Sequence, residues 1–409
     1  MLRRLGLAMF AVSMLMACGR HELEPGGPPP TKWEWLACGD VDCADFVVPR
    51  DRGAAFSDDL VLKAYRSISP AATSRHLPLI IHPGGPGADV RAAVSRAREF
   101  LAPIIDDFDV YALSTRGSVD GTAFDCGDSL AALRVADTEA SAAQRFAEGC
   151  TAKSAPLIGN VGTRQSVEDF EQFRAAIGFD RVRFLGWSYG ATLGAAWAMT
   201  HPGSIRSIVL DAPSDPRASW SRVLEAKHEV ASRMWSKRVS APLAEVDVSE
   251  REVALAREYL LYEPTAVGDA KSLAALRLGE TPDGRNDGGI ETQIGVHCSD
   301  VTHAEARAAI AVGESTPKIG FGSVFDRICL QLPGSSTPLS ELVPDDAATR
   351  VDAMVISATG DHVVPAIVSR DLARRMSWRN VAVDLERHLA VGFDAKTTKT
   401  AMAFLATGG

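Results

Sequence analysis

The chain has no C-x-x-C pair, and its nine histidines do not stand at zinc-ligand spacing from its cysteines, so a metal site is a poor reading. It has no cationic excess. Lys and Arg number 43 against 52 Asp and Glu, and the formal net charge of −9 argues against a nucleic-acid partner, which would want a basic face. Heptads, internal repeats and a second long apolar run are also missing, which removes coiled coils, solenoids and multi-span membrane proteins. No cofactor is implied.

The one long apolar run stands at the start, in MLRRLGLAMFAVSMLMACGR. Two arginines, a short greasy core and a small residue before the cut describe an export signal over residues 1–18, too short to span a bilayer permanently. Cys18, directly after Leu15-Met16-Ala17, resembles the bacterial lipobox. In that reading Cys18 is diacylated, becomes the first mature residue and anchors the protein to a membrane. A plain secretory signal with an incidental cysteine is the alternative. Gly19 does not look like an inner-membrane retention signal, which points to the outer membrane. Residues 19–32, GRHELEPGGPPPTK, read as a flexible tether. An exported chain meets an oxidising compartment, so the six remaining cysteines favour disulfides. Many pairings are open; proximity along the chain suggests Cys38–Cys43, Cys126–Cys150 and Cys298–Cys329.

Strand-like runs alternate with helical patterns. LVLKAY, LPLIIH, FDVYALS, VRFLGWS and IRSIVLDAP come first, and DAMVISATG and NVAVDLERH follow much later. Between them, VRAAVSRAREFLAPI and SVEDFEQFRAAIGF carry apolar residues at helical spacing, and Ser166 with Asp169 predicts an N-terminal cap on the second. Such alternation means a mostly parallel sheet covered on both faces, with ligands at the carboxyl ends of its strands. Residues 214–337 break the rhythm. SWSRVLEAKHEVASRMW and SEREVALAREYLLYE are helical, so this stretch is expected to form a helical cap on a core of residues 33–213 and 338–409.

FLGWSYGATLG, residues 184–194, sets Ser188 between glycines at the junction of a strand and a helix. A nucleophile elbow needs that setting: a sharp turn exposes the hydroxyl, and Gly186, Gly190 and Gly194 let strand and helix approach. A helix-capping serine is the bland alternative. A serine hydroxyl needs a base, and the base needs a carboxylate to hold its tautomer. His388, at the end of the last strand-like run, is the candidate base. Asp361, in SATGDHVVP, is the candidate acid, with Asp211 as its competitor. His362 is expected to be solvated, and His82, His201 and His303 to be structural or on the surface. Oxyanion donors are expected from the N–H of Tyr189 and from the loop of IIHPGGPGADV, where Gly85 is the better donor because Pro86 has no N–H.

GGPG after an early strand, GWSYG, the late GD with Pro365, and the terminal His388 together resemble the α/β-hydrolases of the prolyl aminopeptidase and tripeptidyl aminopeptidase group. The resemblance extends to KWEWLACGDVDCADFVVPRD, to FDVYALSTRG followed by Cys126, and to IGVHCSDV around Cys298, and covers nearly all of residues 33–393. It implies the α/β-hydrolase fold, a serine hydrolase with a lid, and the sequential disulfide pairing. Three positions depart from the family's pattern. Ser114 stands where an Asp usually supports Arg116. Trp187 precedes the nucleophile in place of a glycine, which would narrow the acyl pocket. The histidine in ERHLAVGF lacks its customary glycine neighbours.

The leading expectation is an exported, lipid-anchored, aminopeptidase-like serine hydrolase acting on small peptides. An esterase, lactonase or amidase with the same triad is the alternative, and a binding lipoprotein with a decayed site a third reading. An exopeptidase needs a buried anion for the substrate's ammonium. The candidates are Glu225, Glu229, Glu250, Glu252 and Asp300.

Overall fold

The computed structural model describes residues 34–71, 74–119, 121–127, 138–238, 289–315, 322–344 and 351–408. Cys18, the tether, Glu250 and Glu252 lie outside the described residues. No helix among the described residues is long and apolar enough to cross a membrane.

The strands are β1 (Leu36–Cys38), β2 (Val41–Pro49), β3 (Asp59–Ser67), β4 (Leu77–His82), β5 (Phe108–Leu113), β6 (Val182–Trp187), β7 (Ile205–Asp211), β8 (Asp352–Ala358) and β9 (Arg379–Val383). They form one sheet in the order β1-β2-β3-β5-β4-β6-β7-β8-β9. The pairs from β1 through β3 to β5 are antiparallel, and those from β5 through β4 to β9 are parallel. After β4 the chain first builds outward to β5 and then returns to the other side of β4 with β6. Open α/β sheets bind their ligands at such a reversal, here the carboxyl ends of β4 and β6.

The helices are α1 (Val90–Phe100), α2 (Glu139–Ser154), α3 (Thr163–Ala176), α4 (Tyr189–Thr200), α5 (Trp220–Arg238), α6 (Gly289–Asp300), α7 (His303–Ser315), α8 (Gly322–Cys329), α9 (Leu339–Leu342), α10 (Ala366–Arg375) and α11 (Ala395–Thr407). Side chains alternate across each strand, so the continuous apolar runs feed two cores. Leu79, Ile81, Leu185 and Val209 pack with Val94 of α1 and Met402 of α11. Ile80, Phe184 and Ile208 pack on the opposite face with Phe146 of α2, Phe170 of α3 and Leu193 of α4. Helices α5 to α8 lie between β7 and β8 in the chain, within the stretch expected to be helical. Ile294, Ala306 and Ile328 from α6, α7 and α8 join the second core, so these helices are packed onto the same body as the sheet. Bonds join Cys38 to Cys43, Cys126 to Cys150 and Cys298 to Cys329, matching the sequential pairing. The last ties α6 to α8.

The expected cap at Ser166 is corrected. Helix α3 begins at Thr163, with Gly162 at its N-cap and no side-chain cap of its own. The cap comes instead from 137 residues away: Asp300 accepts the Thr163 N–H at 2.8 Å and also its hydroxyl. A carboxylate there satisfies an orphan donor and faces the positive end of the helix dipole. Ser166 lies buried inside the helix, and Asp169 turns inward. Asp169 accepts Arg116 Nε at 2.6 Å and Nη2 at 2.9 Å, and pairs with Arg52. Arg116 therefore has its carboxylate, although Ser114 is not one. The Ser114 hydroxyl instead takes the Lys63 N–H at 2.9 Å, extending the β3–β5 ladder.

Candidate active site

Three adjacent parallel strands, β6, β7 and β8, end at the same edge of the sheet, and each hands the chain to a functional candidate. Ser188 follows β6 with φ 53° and ψ −122°, a conformation that a non-glycine residue rarely adopts. The close crossing beneath it needs glycine: a Cβ on Gly186 would stand 2.4 Å from the Gly190 carbonyl oxygen. The turn is pinned by the Ser188 N–H, which donates to the Asp211 carbonyl at 2.8 Å.

Asp361 follows β8 and is fully buried. Its Oδ1 accepts the N–H groups of Val363 at 2.8 Å and Val364 at 2.9 Å, which fix the carboxyl plane. Its Oδ2 faces His388 Nδ1 at 2.7 Å. A carboxylate in that place fixes the imidazole proton on Nδ1 and leaves the lone pair on Nε2. The expected acid–histidine pair is thus present, with Asp361 and not Asp211 as the direct partner. Asp211 acts elsewhere, because its Oδ2 accepts the N–H groups of Ala390 at 2.8 Å and Val391 at 2.7 Å, just beyond the histidine. The histidine loop and the Ser188 turn are therefore both fastened to Asp211. Leu389 sits at φ 70°, left-handed backbone in which the family's glycine neighbours would be at ease.

The loop after β4 closes the other side. A Cβ on Gly84 would lie 2.7 Å from the Trp187 carbonyl oxygen and 3.1 Å from Ser188 Cβ, so this loop lies directly on the serine turn. His82, fully buried, accepts the Gly84 N–H on Nδ1 at 3.2 Å. Burial pulls the His82 imidazole down to about 3, so it is a neutral brace. Tyr189, the other expected donor, has its hydroxyl 3.1 Å from Thr163 Oγ1, which in turn reaches Asp300. Burial first, and then the Asp300 charge, raise the Tyr189 phenol. Burial likewise raises Asp300 to about 6, against the hydrogen bonds from Thr163.

Several expectations are corrected. Glu225 and Glu229 lie on the exposed face of α5, and Glu229 pairs with Arg233 on its own helix at 3.6 Å. They face solvent because the opposite side of α5 supplies the apolar contacts. Asp300 is engaged as the cap of α3. Trp187 does not stand open in an acyl pocket: its indole is buried, donates Nε1–H to the Val391 carbonyl at 3.0 Å and packs on Phe100. His362 is buried, not solvated. His201 pairs with Glu168 at 3.0 Å, and His303 meets the Leu332 carbonyl at 3.0 Å, both structural. Among the described residues, no group of three or more His, Cys, Asp or Glu side chains could hold a metal. The anchoring roles of Asp211 and His82 were missed. The only signal of either was its position at the end of a strand.

With this geometry in view, the chain belongs to the α/β hydrolase fold family, which matches residues 78–393. It is similar to serine protease Hip1 of Mycobacterium tuberculosis, 28% identical over a 210-residue alignment that covers 45% of this chain and 40% of Hip1. It is also similar to a tripeptidyl aminopeptidase of Streptomyces lividans, 26% identical over a 199-residue alignment that covers 45% of this chain and 37% of the relative. The matched stretches thus span less than half the length of these relatives. Among solved structures, a proline iminopeptidase of Mycobacterium smegmatis aligns over 89% of this chain and 98% of its own, at 15% identity and a TM-score of 0.43.

Proposed function

We propose that this protein is a serine hydrolase that cleaves peptide or amide bonds near a free amino terminus, through an acyl-enzyme on Ser188. The observation that carries the reading is the Asp361–His388 pair at 2.7 Å, on the strand edge that also presents the strained Ser188 turn. Ser188 Oγ attacks the substrate carbonyl while His388 Nε2 takes its proton. The oxyanion receives N–H groups from Gly85 and Tyr189. His388 then passes the proton to the departing amine, and a water activated by the same imidazole hydrolyses the acyl ester. Peptides are favoured over other acyl substrates because the relatives named above are a serine protease and a tripeptidyl aminopeptidase.

We further propose that the chain is exported and held by a lipid on Cys18, a reading supported by the three disulfides, which belong to an oxidising compartment. Cys18→Ser should then release the protein from the membrane fraction.

Fluorophosphonate labelling tests the chemistry: an adduct should form on wild type and be lost in Ser188→Ala. Aminoacyl-naphthylamides with free and blocked amines, set against p-nitrophenyl esters, test the substrate class. Free-amine compounds should turn over faster than blocked ones. Equal rates, or turnover confined to the esters, would assign the esterase alternative instead.

A further inference from the structure

Asp211 is fully buried at the end of β7, and it joins the serine turn to the histidine loop. Its main-chain carbonyl holds the Ser188 N–H at 2.8 Å, and the next residue, Ala212, donates its N–H to Ile356 of β8 at 3.0 Å. Its carboxylate holds the N–H groups of Ala390 and Val391 at 2.8 and 2.7 Å. The residue before Ser188 reaches the same loop through the Trp187 indole. Of the non-glycine residues with positive φ among those described, Ser188 (53°), Ala212 (57°) and Leu389 (70°) all lie on or beside these links. Strain of this kind persists only where the surroundings over-determine the backbone.

The chemistry of the group adds a second argument. Asp211 Oδ1 has no hydrogen-bond partner among the described residues. The charges that act on the carboxylate are His388, which favours its ionised form, and Asp361, which opposes it. Burial is the larger influence and raises the carboxyl to about 6. An amide would fill the same space and accept the same N–H groups at far less desolvation cost. Bracing alone therefore does not call for an ionisable group here.

Resting on the reading of Ser188 and His388 as nucleophile and base, we propose that Asp211 is a second, positioning carboxylate of the site. It fixes the imidazole by holding the two N–H groups that follow it, and its negative charge stabilises the imidazolium formed when Ser188 gives up its proton. Asp361 orients the ring from one side, while Asp211 holds the loop that carries it and supplies field from another.

The test compares wild type, Ser188→Ala, Asp211→Asn and Asp211→Leu by the second-order rate of fluorophosphonate labelling across pH, alongside circular dichroism. Asp211→Asn should fold, label about tenfold or more slowly, and move the midpoint of the pH–rate curve downward, because the imidazolium loses a negative neighbour. Asp211→Leu should label more slowly still, with faster amide exchange at Ala390 and Val391. A folded Asp211→Asn with a rate within threefold of wild type and the same midpoint would overturn the proposal. A lowered rate with an unmoved midpoint would also overturn it, since bracing alone predicts that. If neither variant folds, native amide exchange decides: slow exchange at Ala390 and Val391 relative to residues 384–388 is expected, and fast exchange refutes the link. Absence of labelling in wild type would instead sink the reading of the serine and histidine themselves.

Discussion

Replacing Asp361 with Asn removes one charge and changes almost nothing in shape, and the hydrogen bonds around it dictate the outcome. In one orientation the amide oxygen keeps the N–H groups of Val363 and Val364, at 2.8 and 2.9 Å in the wild type. The amide NH2 then faces His388 Nδ1, which must present a lone pair, so the ring proton moves to Nε2 and the base is lost. In the flipped orientation the NH2 is set against two N–H donors in a fully buried place. Leaving each buried donor unmet costs about 1–3 kcal/mol, so the flip is disfavoured by about 2–6 kcal/mol. The first orientation therefore dominates, and the wrong tautomer lowers kcat by about 10⁴-fold. The measurement is kcat and KM on a p-nitrophenyl ester at neutral pH, with KM expected to stay within a few fold. A kcat within about tenfold of wild type would refute the assignment of Asp361 as the tautomer-setting group.

Asp169→Asn should destabilise the fold by about 3–5 kcal/mol in urea titrations with the disulfides intact, because it strands the fully buried Arg116 guanidinium. Arg52→Ala should cost no more than about 1 kcal/mol, since that side chain is partly solvated. A loss below about 1 kcal/mol for Asp169→Asn would contradict the pairing. The raised Asp211 carboxyl sets a pH dependence of stability. The native state keeps that proton up to about 6, whereas the unfolded chain releases it near the ordinary carboxyl value. Stability contributed by this group is therefore present at low pH and is lost as pH rises through about 4 to 6. Wild type should consequently lose ground to Asp211→Asn over that window, by at most about 3 kcal/mol, in paired denaturation curves at each pH. A gap that stays constant with pH would contradict it. Glu225→Gln and Glu229→Gln should leave KM for free-amine substrates unchanged, and a several-fold rise in KM would return those residues to the site.

What was legible in the sequence was whatever announces itself locally. The Ser188 turn follows a strand of continuous apolar residues and precedes a helix. Asp361 and His388 each stand at the end of a late strand-like run, and the disulfides join neighbours along the chain. What was not legible depends on partners far off in the sequence. Nothing near Gly162 says that Asp300 will cap α3. Asp169 looks like a helix-start residue until Arg116 arrives from 53 residues away. The acidic face of α5 carries the residue type an ammonium would need, yet helical geometry alone does not say which side faces the crevice. Asp211 was visible as a strand-end carboxylate, but its role depends on a loop 179 residues later in the chain.

Helix α6 is moored at both ends. Near its start, Thr292 donates its hydroxyl to the Gly117 carbonyl at 2.7 Å, and Glu291 receives the Cys126 N–H at 3.0 Å; at its end, Asp300 grips Thr163. Thr292 also lies against Gly87, beside the loop that touches the serine turn. A gate that swung on this helix would have to break all of those moorings and disturb the loop after β4 at the same moment. The route by which a substrate arrives must leave α6 standing as a doorpost, and a cross-link between α6 and α3 should leave turnover intact.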